Sequence, residues 1–167
     1  MQRLLPIARE LRQSAEAAFT DFVAGEKDAR RHADTLPYLE FAALKLDALG
    51  MRYEYVADIA QDYSAILAHE QDVSPSAVDS ELFQLQGING PLFDLRDYTT
   101  KLREMNRTLW LAENGGSWLP NMLQLYDQNS AVWQQRIAQF EGIKAAHREG
   151  KPLPSAESLG LMAVQTQ

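Results

Sequence analysis

The sequence predicts an all-α protein: an up-down four-helix bundle of two long helical hairpins, with a short connecting helix and an extended C-terminal tail. Three observations carry this. Apolar residues recur in alternating steps of three and four over four segments, the period of a helix that buries one face. No segment of comparable length alternates at period two; the nearest, Arg52 to Ala57, lies inside one of the helical runs. Proline and glycine fall at the ends of these runs, where helices start and stop.

The first helix is expected from about Pro6 to Ala33, with Leu4, Ala8, Leu11, Ala15, Ala18 and Phe22 on its apolar face. Pro6 suits a first turn, where a missing N–H costs nothing. The second pattern is the longest. Leu39, Ala42, Leu46, Leu49, Tyr53, Val56, Ala60, Tyr63 and Leu67 keep a coiled-coil heptad spacing without a slip. This predicts one helix over Pro37–Glu70, about 50 Å long. Gly50 should weaken it by about 1 kcal/mol relative to alanine. The register nevertheless runs through Gly50, so a continuous helix is expected over a break. Residues 71–90 form a connection in which Ser74-Pro75 reads as a cap and first turn for a short helix over Ser76–Gln86. Val78, Leu82 and Leu85 face inward there, and Gly87, Asn89 and Gly90 end it. The third helix starts near Pro91, presents Leu95, Tyr98, Leu102, Met105, Leu109 and Ala112, and stops at Asn114-Gly115-Gly116. Ser117 is placed to cap the fourth, with Pro120 in its first turn. That helix presents Met122, Tyr126, Val132, Trp133, Ile137, Phe140 and Ile143 and ends near His147 or Arg148. Gly150-Lys151-Pro152-Leu153-Pro154 stops it, which divides the chain into a bundle domain, 1–150, and a tail, 151–167.

Composition narrows the function. With 167 residues, 46% hydrophobic and 23% charged, the chain reads as one globular domain, and disorder over its whole length is excluded. The absence of cysteine excludes disulfides, thiolate zinc sites, iron–sulfur clusters and thiol nucleophiles. A net charge of −7 disfavours a general phosphate-binding surface. The basic clusters Lys27, Arg30, Arg31 and Arg96, Lys101, Arg103, Arg107 are interleaved with acids, so no nucleic-acid partner is expected. Arg3, Arg9 and Arg12 interrupt the N-terminal apolar positions, and no run reaches the roughly 20 apolar residues of a membrane span. A cytoplasmic protein, or a soluble component of a larger assembly, is expected.

Chemistry finds few footholds. Bundles hold metal pairs with inward carboxylates and Glu-x-x-His motifs. No such motif occurs, and the apolar faces of the second and third helices carry no Asp, Glu or His. A nucleophile elbow is also missing. His32, His69 and His147 each fall near a helix C-terminus, where a histidine complements the dipole. His69 and His147 are the metal candidates, because the second and fourth helices end at one pole and bring Glu70 and Asp72 with them. No ligand spacing supports that site, so neither enzyme activity, metal nor cofactor is expected.

The second helix holds an apolar surplus. Phe41, Leu44, Ala48, Met51 and Tyr55 form a stripe opposite Leu39, Leu46 and Tyr53. A helix apolar nearly all round is buried nearly all round. Something beyond the seam must cover it: the connection, the tail, a second copy or another protein. The tail is uncharged from Ser158 onward and carries Leu159, Leu161, Met162 and Val164. Phe41, Leu44, Met51, Tyr55 and these four tail residues are the expected interaction surface, with the tail reaching a neighbouring subunit rather than folding back. The expected function is a non-enzymatic protein–protein interaction or assembly role, as structural component, adaptor or inhibitor-type binder, with a protein partner or as a homo-oligomer. The alternative is a small-molecule-binding or sensing bundle with Tyr53, Tyr63, Tyr98, Trp110 and Trp133 around a core pocket.

Overall fold

A computed structural model describes residues 4–26, 33–87 and 90–161. The helices are α1 (Leu5–Glu26), α2 (Leu36–His69), α3 (Pro75–Gln86), α4 (Pro91–Asn114) and α5 (Leu119–Arg148), with a 3₁₀ turn at Ala33–Thr35 leading into α2. The described residues form no strand, and four long helices pack against one another as an all-α bundle. Helix α2 is continuous through Gly50, as its heptads require. Residues 27–32, the expected end of the first helix, lie outside the described residues. Ser74 caps α3 by accepting the Ala77 N–H at 3.3 Å. Ser117 does not cap α5. Trp118 takes that position in the left-handed region at φ 60°, and the Ser117 carbonyl instead accepts Trp110 Nε1–H at 2.7 Å.

Packing runs in series, α1 on α2, α2 on α4 and α4 on α5, with α3 wedged against α5, α2 and α4. Gly50 explains how closely α1 approaches. A Cβ there would stand 2.6 Å from the Ala8 carbonyl oxygen and closer still to Arg12 Cγ. The glycine that weakens the isolated helix is what lets the first hairpin close.

Along α2 the buried face changes sides halfway. In the first half Ala43, Leu44, Asp47, Gly50 and Met51 are buried, while Leu39, Leu46, Leu49 and Tyr53 are exposed. In the second half Ala57, Ile59, Ala60, Tyr63 and Ile66 are buried and Val56 and Leu67 pack against the core. The heptad seam is therefore the core seam beyond Tyr53 and a surface stripe before it. The cause lies in the neighbours. Helices α1 and α4 cover the first half from the sector that reads as surplus. The second half is covered by α3, α5 and the tail. A straight helix of 34 residues cannot show one face to two different sets of neighbours.

The main core gathers at this second-half pole. Tyr63 is fully buried and packs edge-on against Phe140 at 5.7 Å between ring centroids, among Val78, Leu82, Leu92 and Ile143. The tail closes it. Leu153, Leu159 and Leu161 are buried in the same core. Three side chains meet its backbone: Tyr63 Oη–H donates to the Pro154 oxygen at 2.7 Å, Glu70 Oε1 accepts the Leu153 N–H at 2.9 Å, and Arg136 Nη1–H donates to the Leu159 oxygen at 2.6 Å.

Candidate functional site

The opposite half of the molecule is a trough. Helices α2 and α5 both flank α4 and run in the same direction, and the space between them is filled by the tail at one end but open at the other. Leu95, Leu102 and Met51 are the buried floor with Trp133, and Leu49 and Leu125 face each other across it. The cavity measures about 200 Å³. The α2 wall is Lys45, Ala48, Leu49 and Arg52; of the exposed stripe Leu39, Leu46, Leu49 and Tyr53 it takes in Leu49, and the other three lie further round the helix. Along α5 Trp118, Met122, Leu125, Asn129 and Val132 follow in steps of four and three, and Leu125 and Asn129 of these line the groove; Trp118 is 72% exposed and Leu125 63%. Isolated surface leucines are ordinary, but Leu49 and Leu125 border one apolar groove and are not isolated.

Two cations edge the α2 wall. Lys45 lies over the Phe41 ring at 5.5 Å and Arg52 over Trp133 at 5.6 Å. Neither forms an ion pair among the described residues, unlike Arg9, Arg12, Arg96, Arg103, Arg107, Lys144, Arg148 and Lys151. The lining contains no carboxylate. Tyr126 is half-buried in it, and burial raises its phenol above the ordinary value.

Behind the trough a polar cluster fixes the helices that build it. Arg12 of α1 donates from Nε to Asp47 Oδ1 at 2.9 Å and from Nη1 to Glu54 Oε2 at 2.8 Å. Tyr98 of α4 donates to Asp47 Oδ2 at 2.7 Å. Burial opposes the Arg12 charge, but hydrogen bonds to Glu54 and Asp47 more than offset it, so its guanidinium is held still more firmly protonated. Burial first, then the bond to Asp47, raises Tyr98.

The residues expected to meet a partner are placed differently. Leu44 and Met51 are buried, and Phe41 and Tyr55 half-buried, within the chain's own bundle. Arg12 stacks on the Tyr55 ring at 5.8 Å. Leu159 and Leu161 are buried in the chain's own core, so the described part of the tail folds back instead of extending away; Met162 and Val164 lie outside the described residues. The physical reason is that α1 and α4 occupy the surplus face, which turns the heptad stripe outward. Of the five aromatic residues expected around a core pocket, Tyr98 and Trp133 share the trough. Tyr53 is exposed, Tyr63 is packed into the far core, and Trp110 closes the α4–α5 turn.

His69 and His147 do share one pole, while His32 lies outside the described residues. His69 Nε2 pairs with Glu81 at 2.8 Å, whereas His147 Nε2 stands 3.6 Å from Glu70 Oε1, the atom that also holds the tail. No group of three or more His, Asp or Glu with metal-binding geometry occurs among the described residues. No described helix is long and apolar enough to cross a membrane. No family model matches the chain, and no curated protein or solved structure matches it either.

The trough was hidden from sequence reasoning because α2 turns a mixed face to it, Lys45 and Arg52 beside Ala48 and Leu49. One signal pointed to it: the pattern on α2 gives more apolar faces than a bundle helix needs.

Proposed function

We propose that this is a non-enzymatic protein–protein interaction or assembly protein whose docking surface is the trough between α2 and α5. The observation that supports the reading is an apolar groove with exposed leucines, Leu49 and Leu125, on its two walls over the buried floor of Met51, Leu95, Leu102 and Trp133. Helix-in-groove recognition uses such a surface, with side chains at helical spacing entering between two walls. The lining supplies aliphatic, aromatic, amide and cationic groups and no carboxylate or imidazole to take up a proton. That chemistry suits contact.

The test is proximity crosslinking in the native source, from a photoreactive residue at position 125. A partner should crosslink to the wild-type surface and disappear when Leu49→Arg is added, with circular dichroism unchanged. A crosslink pattern indifferent to Leu49→Arg, in a protein that stays monomeric at high concentration, would refute the docking role.

A further inference from the structure

We propose that the trough takes one amphipathic helix with glutamate or aspartate along the flank that meets α2; this rests on the docking reading above. Shape is the first argument. Helices α2, α4 and α5 are three members of a four-helix ring. Helix α1 cannot complete it, because Gly50 and Arg12 hold α1 against the other side of α2. The lining runs from Lys45 to Arg52 on α2 and from Leu125 to Trp133 on α5, about 10–12 Å at the helical rise, which is two turns.

Backbone chemistry is the second. The extended tail docks where Tyr63, Glu70 and Arg136 meet its peptide groups. Among the lining side chains Tyr98 and Thr99 already donate to Asp47 and the Leu95 carbonyl, and no carboxylate is present, so an extended peptide would find few acceptors for its N–H groups there. A helix satisfies its own. Cavity size is the third. About 200 Å³ falls below the roughly 300–1,000 Å³ of small-molecule sites and suits inserted side chains. Charge is the fourth. Lys45 and Arg52 stand two turns apart on one wall without carboxylate partners among the described residues, in a lining free of acids, although the chain carries 23 acidic residues against 16 basic. Such a pair selects an acidic flank two turns long.

The experiment uses the full chain and two labelled model peptides of about 18 residues with the same leucine face, one flanked by glutamate and one by lysine. Fluorescence anisotropy at low salt should show the glutamate peptide binding about tenfold tighter. The preference should vanish in Lys45→Gln/Arg52→Gln and fade at high salt, where screening shortens to a few ångströms. Equal binding of both peptides, abolished by Leu49→Arg, would overturn the charge selection and leave the docking reading standing. A dimer by light scattering, lost in Leu125→Arg, with neither peptide bound, would make a second copy the occupant and overturn the proposal. Binding of phosphatidylglycerol vesicles in place of either peptide would overturn it too. A monomer that binds none of these would sink both readings.

Discussion

Leu44 and Leu46 lie two residues apart in one helix, and truncating each to alanine separates the two accounts of α2. Leu44 is 6% exposed, set between α1 and α4, whereas Leu46 is 47% exposed on the surface. Both variants make the same change in helix propensity, so that contribution cancels. Leu44→Ala removes a packed side chain and leaves a cavity, which costs about 2–5 kcal/mol. Leu46→Ala creates no cavity. It removes about three buried-methylene equivalents at roughly 0.8 kcal/mol each, scaled by the half of the residue that is covered, or about 1 kcal/mol. Urea unfolding followed by circular dichroism reads both, with an unchanged m-value as the check that neither variant alters the unfolded state. The heptad spacing taken alone assigns the large loss to Leu46. Equal losses, or a larger one at Leu46, would mean that the assignment of faces is wrong.

Gly50→Ala should destabilise despite a propensity gain of about 1 kcal/mol, because the new Cβ collides with the Ala8 carbonyl and Arg12. Gly142→Ala, with no atom near its Cβ, should stabilise α5; thermal melts of the pair should move in opposite directions. Arg12→Ala should cost about 3 kcal/mol by stranding a buried carboxylate, here Asp47, and Asp47→Asn in the same chain should recover part of it in a double-mutant cycle. Burial, aided by the Glu70 charge, pushes the Tyr63 phenol up to about 12. Its contribution is complete below the ordinary value near 10 and is lost as pH rises through 12, because the unfolded chain releases that proton first. Tyr63→Phe should make the loss of stability between about pH 10 and 12 shallower, and an unchanged alkaline slope would count against the assignment.

Helix positions were legible because caps, prolines and apolar period act locally. Pro75, Pro91 and the Gly115-Gly116 pair each mark a boundary within a residue or two. The length of α2 was legible for the same reason. Which face of α2 points inward was not. Leu39, Leu46 and Leu49 match Ala60 and Tyr63 in spacing and apolar character, and the difference between them lies in which helices arrive from elsewhere in the chain. Gly50 reads as a weakness from propensity and as a contact surface once Ala8 lies against it. The metal candidates show a similar limit: the topology brings His147 to Glu70 but gives His69 its own acid, Glu81. The tail's apolar cluster announced burial, yet its docking site depends on Glu70, Tyr63 and Arg136, three residues on two other helices.

The tail and the trough are two ends of one interface between α2 and α5. The α5 stripe that begins at Trp118 reaches Arg136 in steady helical steps, and at Arg136 the tail begins to cover it. On one side of that point the chain supplies Leu153, Leu159 and Leu161 to fill the gap; on the other, Leu49 of α2 and Leu125 and Val132 of α5 stay exposed. A bundle minimising exposed apolar surface would bring α1 into that gap. The Arg12, Asp47, Glu54 and Tyr98 cluster opposes this, since moving α1 would take Arg12 away from both Asp47 and Glu54 and leave Asp47 only its bond from Tyr98. Breaking a buried charge pair by removing one partner costs about 3–5 kcal/mol, comparable to burying two leucines at about 1.5–3 kcal/mol each. The polar cluster thus holds α1 on the closed side and keeps the trough available. Replacing it with apolar residues of similar size should yield a protein at least as stable, with α1 free to slide towards α5 and the docking surface lost.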